Sequence, residues 1–117
     1  MDIIKPKSKK TIRSEMEYID PVHLLDLSAY HGDIEGLKIA VLKLKKRWND
    51  FYSFNWKADY ALEIASKNGY TKLIDYILND RYAFYHESSY KQAAKKAAQN
   101  DNYETLCLLN SYAEEKI

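Results

Sequence analysis

The chain has 117 residues, 46% of them hydrophobic and 30% charged, with a formal net charge of +1 at pH 7. That is enough apolar material for one domain with a modest core, and the balanced charge gives no global case for a nucleic-acid or membrane partner. Only 3 glycines and 2 prolines break the chain, which predicts a mostly helical fold, and no run approaches the roughly eighteen apolar residues of a membrane span.

Residues 1–13 carry Lys5, Lys7, Lys9, Lys10 and Arg13 against Asp2. They lack the apolar segment of a secretory leader, so the expected location is cytoplasmic, inside the cell. Residues 1–19 as a whole read as a basic, largely flexible arm, with Pro6 and Ser8 opposing regular structure. Its bland role is to solubilise; its functional role would be to touch phosphates. Ser14 and Glu17 have the spacing of a capping box, which predicts a short helical turn up to Ile19. Asp20 and Pro21 then fit the N-cap and first position of a helix that opens a domain over 20–117.

Three related stretches follow. The central one, residues 60–79, reads Y-A-L-E-I-A-S-K-N-G-Y-T-K-L-I-D-Y-I-L-N. Ala61, Leu62, Ile64 and Ala65 give a short apolar helical face, Asn68-Gly69 reads as a helix stop, and Leu73, Ile74, Ile77 and Leu78 form one apolar stripe on a second helix. Such a helical hairpin is too small to bury its own apolar face. Copies lie upstream, as L-L-D-L-S-A-Y-H-G-D-I-E-G-L-K-I-A-V-L, and downstream, as A-A-K-K-A-A-Q-N-D-N-Y-E-T-L-C-L-L-N-S. Aligned, Ser28, Ala65 and Ala97 share one column and Ala29, Ser66 and Ala98 the next. Gly32, Gly69 and Asp101 fall at the turns, and Leu37, Ile74 and Leu106 on the second helices. Small residues in adjacent columns allow the first helices to pack closely, while large aliphatics fill the space between hairpins.

At these columns the chain resembles the ankyrin repeat, whose core runs roughly T-P-L-H-x-A-A-x-x-G-H-x-E-x-V-x-x-L-L over about 33 residues. The likeness spans about residues 22–112, with repeats near 20–48, 56–80 and 89–113. The T-P-L-H places hold His23-Leu24-Leu25-Asp26, Tyr60-Ala61-Leu62-Glu63 and Gln92-Ala93-Ala94-Lys95, and the family's Gly-Ala-Asp-x-Asn hairpin signature is missing. The resemblance implies an all-α, short ankyrin-like solenoid of three helix-turn-helix hairpins, with helix pairs rather than regular β-hairpin fingers. It also implies Gly32 and Gly69 as turn residues and Ala29, Ala65 and Ala98 as close-packing positions. The alternative is a generic all-helical domain. Ankyrin-type proteins bind other proteins and share no catalytic activity, so the implied function is a non-catalytic interaction module, a small regulator or inhibitor with an unidentified protein partner.

Two aromatic connectors stand between the copies: R-W-N-D-F-Y-S-F-N-W over 47–56 and R-Y-A-F-Y-H-E-S-S-Y over 81–90. In one reading their rings lock successive hairpins together. In the other, some face outward as anchors, because Tyr, Trp and Arg bring large contact area at low entropic cost. Under that reading Arg47, Trp48, Tyr52, Arg81, Tyr82 and Tyr85 are the candidate partner-binding residues; the two readings can also share the rings, with Trp48 and Phe51 inward and Tyr52, Tyr82 and Tyr85 outward. Lys43, Lys45, Lys46 and Arg47 make a basic run at a helix end, where cations complement the helix dipole. The same run beside aromatics would also suit a nucleic-acid strand, which makes nucleic acid the alternative partner.

Catalysis finds little footing. His23, His31 and His86 are read as belonging to three separate units, no phosphate loop or nucleophile motif is present, and a single cysteine excludes a thiolate-rich zinc site. Cys107 stands among Leu106, Leu108 and Leu109 and is expected to be a buried structural thiol. The expectation is therefore no enzyme, no cofactor and no metal, and a monomer or weak homodimer.

Overall fold

A computed structural model describes residues 20–48 and 54–115. Six helices and two short strands run through them: α1 (Pro21–His31), α2 (Ile34–Arg47), β1 (Trp56–Lys57), α3 (Asp59–Asn68), α4 (Thr71–Asn79), β2 (Ala83–Phe84), α5 (Glu87–Gln99) and α6 (Tyr103–Glu115). The basic arm, the Ser14 and Glu17 pair, Phe51 and Tyr52 lie outside the described residues. Among those described, no helix is long and apolar enough to cross a membrane.

Local chemistry sets the helix ends. Asp20 accepts the Val22 N–H at 2.8 Å and Pro21 occupies the first turn, where its missing N–H costs nothing. Three left-handed residues end the first helices: Gly32 at φ 68°, Gly69 at φ 72° and Asp101 at φ 57°. After each of them the same hydrogen bond closes the turn. Asp33 N–H donates to Ser28 O at 2.8 Å, Tyr70 N–H to Ala65 O at 2.9 Å, and Asn102 N–H to Ala97 O at 2.8 Å. This is the backward-reaching bond of a helix C-terminus that satisfies carbonyls left without helical donors. Each hairpin thus turns by the same geometry, although two use glycine and the third aspartate.

Packing separates the helices into two layers. In one layer α1 packs on α3 and α3 on α5; in the other, α2 and α4 touch only sparingly while α4 meets α6. Side-chain size explains the difference. Ser28, Ala29, Ala65, Ser66 and Ala97, near the ends of the first helices, are all buried. The hydroxyls of Ser28 and Ser66 find no hydrogen-bond partner among the described residues, so it is their small size that fits them for these columns. Within the first hairpin a Cβ on Gly36 would stand 2.6 Å from Ser28 Oγ, so only glycine permits this approach of α2 to α1. Leu24, Leu37, Leu62, Leu73, Ile74, Ile77 and Leu109 are fully buried between the layers, each contributing about 1.5–3 kcal/mol relative to exposure.

The last hairpin departs from two expectations. Ala98 is exposed, although its column partners Ala29 and Ser66 are buried, because among the described residues no helix packs on the far side of α5. Cys107 is exposed rather than buried. On α6 the buried face is set by Thr105 and Leu109, and Cys107 points away from it.

Polar ties pin each hairpin to the one before. Tyr70 O–H donates to Tyr30 O at 3.4 Å, and Asn102 Nδ2 donates to Ser66 O at 3.1 Å and Lys67 O at 2.8 Å. Both donors follow the left-handed turn residue of one hairpin and reach the end of the preceding first helix. The strands add a second tie, pairing in parallel with Trp56 opposite Ala83 and Lys57 opposite Phe84. Asp59 at the start of α3 makes a third: its Oδ1 accepts the His86 N–H at 2.8 Å and faces His86 Nδ1 at 3.1 Å. Burial by itself would raise the Asp59 pKa, but hydrogen bonds from Ser89 and His86 outweigh it and hold the carboxyl below its ordinary value of 3.8.

Two outcomes follow from these ends and ties. Gly69→Val places a β-branched residue at φ 72°, with its Cβ 3.0 Å from Asn102 Oδ1, and is expected to lower stability by more than about 1 kcal/mol in a denaturation curve. An unchanged midpoint would show that the turn does not need glycine. Asp59→Asn is expected to cost about 0.3–1 kcal/mol at neutral pH, the worth of an anion at a helix N-terminus. Because the folded pKa is depressed, this contribution exists above the unfolded value of about 3.9 and vanishes as pH falls through the lower folded value. Melts of wild type and variant should therefore differ most at neutral pH, and the difference should shrink as pH is lowered below the unfolded value.

Candidate functional site

The splayed second helices leave an open groove of about 880 Å³ between α2 and α4. Ile34, Lys38, Val41, Leu42 and Lys45 line it from α2, at spacings that put them on one helical stripe. Lys72, Asp75, Tyr76 and Asn79 line it from α4, also on one stripe, and Asp80, Arg81 and Tyr82 close the end where both helices finish. Leu42 is 52% exposed there, a large aliphatic side chain left in water.

Cations cover the rings of the walls. Lys38 Nζ lies 5.4 Å from the Tyr76 ring centre, Lys45 Nζ 4.4 Å from that of Tyr82, and the Arg81 guanidinium carbon 5.0 Å from the same Tyr82 ring. Burial, with the charge and hydrogen bonding of Asp80 added, pushes the Tyr76 pKa up to about 12, so its hydroxyl stays protonated. Asp80 is a hub at the closed end. Its Oδ2 accepts from Trp56 Nε1 at 3.1 Å and its Oδ1 from Tyr82 N–H at 2.9 Å. Asp75 Oδ1 accepts from Asn79 Nδ2 at 3.0 Å. Both groove carboxylates are thus occupied by neighbours, while four cations stand around the rim.

The structure divides the residues singled out from the sequence. Arg81, Tyr82 and Lys45 meet at the groove's closed end. Trp48 lies beside it through Phe54, with ring centres 6.2 Å apart from Trp48 to Phe54 and 5.6 Å from Phe54 to Tyr82. Trp48 does not turn inward; it is 47% exposed, and Phe54 and Trp56 occupy the core in its stead. Tyr82 and Tyr85 are not fully outward either, since both pack partly buried against the core. Tyr85 belongs to a different cluster, stacking on Tyr90 at 6.2 Å, with Tyr90 in turn 6.3 Å from Tyr112. Its pKa is raised by burial and by its hydrogen bond to Tyr112, and Tyr90 O–H donates to Leu109 O. Those three rings hold α6 to α5. Arg47 leaves the groove altogether and faces Asp20 at 4.0 Å, with both side chains 65% exposed, which is worth little in energy. Of the basic run, Lys45 lines the groove; Lys46 is exposed at the end of α2 and Lys43 is partly buried.

Leu42, Tyr76, Lys38, Lys72 and Asp80 were not singled out from the sequence. The α2 stripe is visible as helical spacing, but its partner stripe begins on α4, some 30 residues on, and no local signal joins them. The histidines fall differently as well. His23 and His31 share α1 rather than lying in separate units, and His86 precedes α5. Among the described residues no group of three or more His, Cys, Asp or Glu could hold a metal ion.

Comparison with protein-family models, with curated protein sequences and with solved structures finds no match to this chain.

Proposed function

We propose that the protein is a non-catalytic protein-interaction module, an ankyrin-like stack of three hairpins that works as a small regulator or inhibitor by engaging a partner protein. The repeated turn bond at residues 33, 70 and 102 and the small-residue contact between first helices support the ankyrin-like reading. So does the placement of both connectors between hairpins. The single observation that carries the interaction reading is Leu42, 52% exposed in an open groove whose tyrosine walls are covered by cations. An apolar floor inside a polar rim is the anatomy of a recognition surface, where a buried anchor contributes most of the affinity and the rim excludes water.

Affinity capture from the native cellular setting tests this, with wild type and Leu42→Glu compared side by side. The expected result is a set of proteins retained by wild type and lost from the variant, while both melt alike. Retention that ignores the substitution, or no specific retention at all, overturns the reading. A nucleic acid retained instead, with affinity falling steeply in salt, would transfer the site to the alternative partner.

A further inference from the structure

We propose that the α2–α4 groove receives an acidic amphipathic helix of the partner. This rests on the interaction-module reading and gives its site a ligand of stated chemistry. Charge complementarity is the first argument. Lys38, Lys45, Lys72 and Arg81 stand around the groove against Asp75 and Asp80, and the two carboxylates already accept hydrogen bonds from Asn79, Trp56 and Tyr82. Lys38 is shared with Glu35 at 3.8 Å, and the lining still holds four cations against two carboxylates. Carboxylates on an incoming chain would therefore meet a net positive rim, which steers encounter and fixes register.

Shape selects a helix. Both walls are helices whose backbone groups are used internally, so an extended peptide would find no strand edge on which to pair. The space between two helical ridges accepts a third helix through apolar residues at i, i+3 or i+4 and i+7. From Ile34 to Lys45 the α2 stripe covers about 16 Å, three turns of such a helix. Leu42 and Val41 then supply the apolar floor.

Other occupants fit less well. A nucleic-acid strand needs open ring faces for its bases, whereas Lys45 and Arg81 already cover Tyr82 and Lys38 covers Tyr76. The chain's own residues 1–13 hold five basic residues against one acid, a like charge for this rim. A second copy could offer its acidic helix α6, but Thr105 and Leu109 of that helix are committed to its own core.

The test is a display selection on the full chain with randomised peptides of about 16 residues, long enough to hold a helix on binding. Counter-selection uses the doubly substituted Leu42→Glu, Arg81→Glu protein, whose melt is compared with wild type. The expected winners carry net negative charge with apolar residues at helical spacing. A synthesised winner should bind at least ~10-fold more weakly to the double variant and lose affinity as salt rises from roughly 50 to 500 mM. In an amide NMR spectrum its shifts should centre on Leu42, Lys45, Tyr76 and Arg81. Winners that are neutral, basic or Pro-rich, or no enrichment at all, overturn the proposal. So does a single-stranded oligonucleotide that displaces the winner, or a self-association in sedimentation that Leu42→Glu abolishes. If cellular capture depends on Leu42 while the winners are not acidic, the helix assignment fails and the interaction module stands. If neither depends on Leu42, both fall.

Discussion

The structure depends on one steric constraint: at the last turn of each first helix the buried positions hold residues no larger than serine. Ser28 and Ala29 on α1, Ala65 and Ser66 on α3 and Ala97 on α5 are all buried there, so the bulk that fills the core comes from other positions, Leu24 and Leu62 among them. Leu37, Leu73, Ile74 and Ile77, on the second helices, fill the space between the layers. A layer that is narrow on one side and bulky on the other splays apart on the bulky side. The groove is the outcome of that mismatch, and it is why Leu42 and Val41 line an open surface rather than a sealed seam.

Polar ties then fix the register that packing alone would leave loose. Small apolar contacts are weakly directional, and three short hairpins could slide along one another. Asn102 on the carbonyls of Ser66 and Lys67, Tyr70 on that of Tyr30, and Asp59 on the N-terminus of α5 each specify a single alignment. Asp80 joins this set from the connectors, binding the Trp56 indole and the Tyr82 amide together. Because Tyr82 carries Lys45 and Arg81 on its ring, the tie that fixes the connectors also orders the cationic end of the groove. Stability and the candidate site share these residues.

The helical class was legible because its signals are local. Asp20-Pro21 is a helix start within two residues, and His31-Gly32 and Asn68-Gly69 are stops within two residues. The groove was not legible because it joins Leu42 to Tyr76 and Lys45 to Tyr82, pairs separated by more than 30 positions with no motif between them. Ala98 and Cys107 mislead for a different reason. Both follow the pattern of buried positions, but they stand on the last hairpin, where no further helix among the described residues covers them. The connectors mislead because two similar strings of rings have different neighbours: one sends Phe54 and Trp56 into the core, the other divides Tyr82 from Tyr85 between two clusters.

The account's central claim is that the first-helix layer is closed by small residues while the second-helix layer is open to water. A pair of substitutions read by chemical denaturation tests it most directly. Ala65→Leu forces extra volume into a fully buried contact and should cost about 1–3 kcal/mol. Leu42→Ala removes volume from an exposed side chain and should change stability by no more than about 0.5 kcal/mol. Ala65→Leu folding as stably as wild type, or Leu42→Ala proving the more damaging of the two, would contradict the account.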